Sequence, residues 1–325
     1  MIGWEFQHTH EPLKLVEKAD PIPDDDMVVV DVKACGLCHS DVGALDDESW
    51  QKLVWPNTYL GHEFAGVISS VGSSVKNFKS GDRVAVCPTK DSRGQNPSYF
   101  GRDGAYATKA VAPEERLVHI PDDVPFSYAA AATDAGMTSF HAIMAAGGMK
   151  PGTKIGIIGI GGLGQWGCRA AVLKGGEVYV STRNPEAQKL ALEMGAKAAV
   201  SNPSELAQFG LELIVDFAGG ETTAAEAINA VADYGRVVLV GMSTPSHCNA
   251  YDLINHRRTL IGSGGGDPED IEELLKLIAT GELVPRVEEI AFDDIPAGLE
   301  RLKEGGLTSR LVAAMDKSSN KWMNA

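Results

Sequence analysis

The feature that most constrains the fold is a glycine-rich turn, Gly159-Ile160-Gly161-Gly162-Leu163-Gly164. It lies between a short apolar run, Ile155 to Ile158, and an apolar-periodic stretch, Leu163 to Leu173. The run reads as a buried strand and the stretch as a helix. Gly159, Gly161 and Gly164 match G-x-G-x-x-G in the strand-to-helix setting that gives this spacing its meaning. Gly159 permits the tight turn, Gly161 lets a ligand approach the backbone, and Gly164 packs the helix close to the strand. Gly162 and Leu163 complete the turn. Backbone amides at a helix start favour an anion, so the turn suits a pyrophosphate.

Downstream, strands and helices alternate. Val178 to Val180, Leu213 to Phe217, Val237 to Val240 and Leu260 to Ile261 read as strands. Pro185 to Met194, Ala224 to Val231 and Ile271 to Thr280 read as helices, the first with proline near its start. Such alternation implies a parallel sheet covered on both faces. The first ~120 residues are instead β-rich, with Val28 to Val32, Phe64 to Ile68 and Arg83 to Val86 as strands. The expected architecture is α/β: a doubly wound parallel sheet at 135–265 inserted in a β-rich domain at 1–134, to which 266–325 returns. Asp316 to Ala325 are polar and without periodicity and read as a frayed tail.

The residue about twenty positions past the glycines usually selects the nicotinamide cofactor, a carboxylate there holding the ribose diol. Here the chain reads Ser181-Thr182-Arg183-Asn184. Hydroxyls and a guanidinium accept a 2′-phosphate that a carboxylate would repel. NADP(H) is therefore preferred over NAD(H).

The net charge is −15, which argues against nucleic-acid or anionic-membrane partners. No apolar run approaches the ~20 residues needed to span a bilayer, and no signal peptide is apparent. Five scattered cysteines, Cys35, Cys38, Cys87, Cys168 and Cys248, make no disulfide framework and suit a reducing cytoplasm. Cys35 and Cys38 form a C-x-x-C without the βαβ context of a redox pair. Cys38, in Gly36-Leu37-Cys38-His39-Ser40-Asp41, and His62, in Gly61-His62-Glu63-Phe64-Ala65-Gly66, offer a thiolate and an imidazole with carboxylates nearby, a set that suits zinc.

Those two segments, together with Gly81-Asp82-Arg83-Val84, the glycine-rich turn and Ser309-Arg310-Leu311-Val312, resemble the zinc-dependent medium-chain alcohol dehydrogenases over nearly the whole chain. The resemblance implies a GroES-like catalytic domain interrupted by a Rossmann domain, with the active site in the cleft between them. It implies one catalytic zinc held by Cys38, His62 and a third ligand, which falls on Asp134 in Ala132-Thr133-Asp134-Ala135-Gly136 where relatives commonly carry cysteine. Glu63 is then a nearby carboxylate able to approach the ion, and Asp41 orients His62. Ser40 hydrogen-bonds the substrate oxygen and passes its proton outward. Thr138 lies near the nicotinamide, His39 and Arg310 offset pyrophosphate charge, and Trp50 and Pro88 line the substrate pocket. Two departures stand out. Cys87 to Tyr106 contains no second cysteine, so no structural zinc is expected, and Gly43 stands where relatives often place a relay histidine.

The expected partner is a small-molecule alcohol or aldehyde, and the expected assembly a homo-oligomer, dimer or tetramer. Polyol or sugar oxidation on the same scaffold, or non-catalytic dinucleotide binding, are the alternatives. The set Cys38, Ser40, His62, Glu63 and Asp134 argues against the second.

Overall fold

The computed structural model describes residues 1–90, 102–242 and 248–316. Much of the shortened Cys87–Tyr106 lobe and the polar tail therefore lie outside the described residues. The chain separates into two compact units: 1–134 with 267–305 and 309–325, and 135–266 with 306–308.

The second unit is built on a six-stranded, all-parallel sheet. Its order across the sheet is Ala198–Val200, Glu177–Ser181, Lys154–Ile158, Leu213–Asp216, Arg236–Leu239, Thr259–Gly262. The strand after which the glycine-rich turn comes is thus central, and the chain reverses its direction of progress across the sheet beside it, which is where doubly wound sheets bind ligands. The strands are apolar on both faces because helices cover both. Ile155, Ile157, Leu213 and Val215 join one core cluster, while Ile158 and Ile214 join another with Leu206 and Ile228. The helices Gly164–Leu173, Pro185–Glu193 and Thr223–Ala230 fall where the apolar periodicity places them.

The first unit is dominated by a seven-stranded mixed sheet. Its long strand Met27–Gly36 pairs antiparallel with Glu63–Val71 along one side. Its other side is shared: Lys109–Pro113 pairs with Met27 to Asp31, and Arg310–Ala314 pairs with Ala34 to Gly36. This places the start of the last strand beside the end of the first long one. A smaller sheet orders Lys14–Glu17, Ile2–Phe6 and Thr58–Tyr59. The helix Pro268–Ala279 buries Ile271, Leu274, Leu275 and Ile278 on one face, and Asp267 and Asp270 cap its start reciprocally. Among the described residues no helix is long and apolar enough to cross a membrane.

Candidate metal centre and dinucleotide turn

Strand pairing brings the metal-centre residues together from distant parts of the sequence. Strand Met27–Gly36 ends two residues before Cys38, which starts the helix His39–Asp46 in extended conformation. Gly36 is opposite Glu63 in the antiparallel pair, so His62 arrives beside Cys38. A side chain at position 36 would collide with the Glu63 carboxyl, and glycine is needed there for that approach. Asp134 comes from a π-helical turn, Ala132–Gly136, that follows helix Phe126–Ala131. Such widened turns recur at functional sites. Arg310 opens the strand that pairs with the end of Met27–Gly36.

Cys38, His62 and Asp134 each present one ligand atom, and these atoms lie within 4.8 Å of one another. His62 Nε2 is 3.7 Å from Asp134 Oδ2, and His62 Nδ1 is 3.6 Å from Asp41 Oδ1. Nitrogen and oxygen ligands at zinc distances in a tetrahedron stand about 3.3–3.5 Å apart, so the His62–Asp134 spacing is already close to what the ion needs. Arg310 Nε donates to both Glu63 oxygens, at 2.9 and 3.2 Å, and its Nη2 donates to Glu63 and, at 2.7 Å, to Asp134 Oδ2. Ser40 Oγ lies 3.4 Å from Cys38 Sγ. Asp41 Oδ2 accepts from Cys38 N at 3.1 Å and from the Tyr106 hydroxyl at 2.8 Å.

The site is short of positive charge. Asp41 and Glu63 are fully buried and Asp134 largely so, while Arg310, also buried, is the guanidinium among them. Burial pushes the Glu63 carboxyl up, to about 8, against the pull of Arg310. Burial also opposes ionisation of Asp134, but contacts with His62 and the Arg310 charge outweigh it and hold its carboxyl below the usual range. Burial, with Asp41 alongside, pushes the Tyr106 phenol well above its ordinary value, which keeps it a donor. A divalent ion favouring thiolate, imidazole and carboxylate together fits this donor set, and zinc is such an ion.

In the second unit, Gly159 adopts φ +86°, a left-handed conformation that favours glycine, and its N–H donates to Ser181 O at 2.8 Å. Gly164 packs so tightly on the Gly159 carbonyl that no Cβ fits, whereas the space beside Gly161 is open. The Ser139 hydroxyl lies 2.9 Å from Leu163 O, tying the turn to the helix Met137–His141. Thr138, next to Ser139, is buried. At the end of the neighbouring strand, Ser181 is buried, Thr182 half-buried and Arg183 exposed.

Comparisons with known proteins give the family. Residues 24–122 match the alcohol dehydrogenase GroES-like domain, and 162–280 the zinc-binding dehydrogenase family. A probable cinnamyl alcohol dehydrogenase 3 from Oryza sativa subsp. japonica is 30% identical over 89% of this chain and 86% of its own. The chain belongs to the zinc-dependent medium-chain alcohol dehydrogenase family. An NADP-dependent alcohol dehydrogenase C from Mycobacterium bovis is likewise 30% identical, over 93% of this chain and 94% of its own. The solved structure of CAD from Helicobacter pylori, complexed with NADP(H), is 25% identical, has a TM-score of 0.86 and covers 98% of both chains. As a member of this family, the dehydrogenase is an oxidoreductase acting on alcohols, with GroES-like and Rossmann-like domains.

The other residues singled out in the sequence of the dehydrogenase take up varied positions. Arg310, expected to offset pyrophosphate charge, is buried to 2% with its guanidinium engaged by Glu63 and Asp134. Strand pairing to Met27–Gly36, which sequence spacing does not reveal, puts it there. His39 stands at the helix start with part of its surface open to solvent, and partial desolvation of its ring, then the Arg310 charge, lowers its basicity. Pro88 is half-buried just beyond strand Arg83–Val86. Trp50 lies over Gly43: a Cβ there would sit 2.8 Å from the indole. The space of a relay side chain at position 43 is thus filled by Trp50. Tyr106 went unnoticed in the sequence because its link to Asp41 spans 65 residues and no motif announces it.

Proposed function

We propose that this protein is a zinc-dependent, NADP(H)-preferring dehydrogenase that interconverts an alcohol and the corresponding aldehyde or ketone. The observation that carries the reading is the convergence of Cys38, His62 and Asp134 with one ligand atom each, beside the Ser40 hydroxyl. Cys38, His62 and Asp134 would hold the ion, which when bound supplies a Lewis acid for the substrate oxygen. Ser40, two residues after Cys38, is placed to hydrogen-bond that oxygen and to take or return its proton. Asp41 faces His62 Nδ1 and favours the tautomer with its proton there, which frees Nε2 for the ion. Arg310 anchors Glu63 and Asp134 and keeps both carboxylates in place.

The glycine-rich turn would hold the cofactor pyrophosphate on the start of helix Gly164–Leu173. Arg183 and Thr182 stand where a 2′-phosphate would be read, with no carboxylate at the strand end. The relatives named for NADP support this choice, and those named for cinnamyl alcohols support an alcohol or aldehyde substrate.

Elemental analysis together with NADPH oxidation on a panel of aldehydes tests the reading. One zinc per chain and turnover with at least one aldehyde are expected. Two tightly bound zincs per chain, or an active protein with none, would overturn it.

A further inference from the structure

We propose that Tyr106 is a positioning residue for the metal centre, acting through Asp41 on His62. The inference rests on reading Cys38, His62 and Asp134 as the metal ligands.

Tyr106 is a brace between the two segments that carry Cys38 and His62. Its backbone is pinned to the residues just before His62: Tyr106 N donates to Leu60 O at 2.8 Å, and Ala105 N donates to Gly61 O at 2.7 Å. From the other side, Trp4 N donates to Tyr106 O at 2.7 Å. Gly61, at φ +88°, lies so close that a Cβ there would stand 2.5 Å from the Tyr106 ring. Ring and backbone are therefore held by the His62 segment, and both are fully buried.

The hydroxyl reaches the other segment. It donates to Asp41 Oδ2 at 2.8 Å, and the same oxygen accepts from Cys38 N at 3.1 Å. Two donors on one oxygen fix the carboxylate plane. The second oxygen, Oδ1, is left facing His62 Nδ1 at 3.6 Å. A carboxylate in that place favours the proton on Nδ1 and sets the ring so that Nε2 points to the ligand cluster, where it lies 3.7 Å from Asp134. Without the phenol, Asp41 keeps the Cys38 amide alone and its plane is free to turn. The lost order is felt at the imidazole, not at the tyrosine itself.

The test is Co2+ binding to metal-free protein, followed by the visible absorption of the bound ion, for the parent, Tyr106→Phe, Asp41→Ala and the double variant. Phenylalanine keeps the buried ring and removes one oxygen. The expected result is an affinity about ten- to a hundredfold weaker for Tyr106→Phe, with altered cobalt bands. Adding Tyr106→Phe to Asp41→Ala should then cost nothing more. Parent-like affinity and spectrum in Tyr106→Phe, even with a lowered melting temperature, would show a merely structural residue and overturn the inference. A full additional loss in the double variant would overturn the route through Asp41. No binding by the parent would overturn the metal-centre reading itself, and this inference with it.

Discussion

The metal cluster and the dinucleotide turn are built in opposite ways. The cluster gathers side chains from segments far apart in sequence: Cys38 at a helix start, His62 ahead of a strand, Asp134 on a π-helical turn and Arg310 at the start of the last strand. The turn is one unbroken stretch in which side chains are mostly absent, and its amides and its left-handed Gly159 are what it would offer a pyrophosphate. A site made of converging side chains has a specific chemistry and fails when any one of them is cut. A site made of backbone tolerates side-chain change but not added bulk. The difference yields tests of unequal size.

The largest effect belongs to the cluster. Cys38→Ala removes the thiolate and leaves His62 and Asp134, which is too few ligands to hold zinc firmly. Zinc content should fall to near zero, and turnover by about 10³-fold or more, since Lewis-acid stabilisation is worth several kcal/mol. Treatment of the parent with a chelator should match it, with recovery on adding zinc. Cofactor binding measured by NADPH fluorescence should survive in both. If metal loss abolished NADPH binding as well, the two regions would not be independent.

Ser40→Ala comes next. It keeps the ligands and removes the hydroxyl beside them, so zinc content and NADPH affinity should be unchanged while kcat falls by ~10²–10⁴-fold. The pH dependence of kcat should flatten. Unchanged turnover across the pH range would mean that the proton leaves by another group. With Gly43 covered by Trp50, a side chain at position 43 is not available for that.

The same contrast explains how much was legible beforehand. The turn could be read because its meaning lies in adjacent residues: strand, glycine spacing and helix all fall within Ile155 to Leu173. Cys38 and His62 could be read because each sits in a short segment of characteristic composition. Asp134 came only through resemblance, since an aspartate in an alanine-rich stretch carries no local sign of metal binding. The Arg310–Glu63 pair could not be read at all, because its partners are 247 residues apart and meet through sheet pairing. The helix Phe126–Ala131 was missed for another reason. Ala129 to Ala132 are buried on all sides, so the sequence there has no polar face to reveal a helical period. That the sheet is parallel and covered on both faces, by contrast, followed from apolar runs alternating with helices, while its strand order is set by pairing that the sequence does not display.

Within the second unit the side chain of Arg183 is the proposed exception to a site made of backbone. It is exposed at the end of strand Glu177–Ser181, where no carboxylate stands. Arg183→Ala should weaken NADPH by roughly ten- to a hundredfold, the worth of a charge-assisted contact of about 1.5–3 kcal/mol, and leave NADH nearly unchanged. Equal affinity of the parent for the two cofactors, or equal losses in the variant, would show that Arg183 does not read the 2′-phosphate.

The adjacent residue supplies the control and the smallest effect. Asn184 caps the helix Pro185–Glu193, its Oδ1 accepting from Glu186 N at 2.9 Å and from Ala187 N at 3.4 Å. These satisfy amides that the helix itself leaves without partners. Asn184→Ala removes both and should cost roughly 1 kcal/mol of stability, read as a melting temperature a few degrees lower. Since Asn184 is engaged with its helix, the ratio of NADPH to NADH affinity should stay at the parent value. If Asn184→Ala shifted that ratio as far as Arg183→Ala does, loop geometry and not the guanidinium would be setting the cofactor choice. The strand end would then belong with the backbone-built turn, and the contrast between the two regions would be complete.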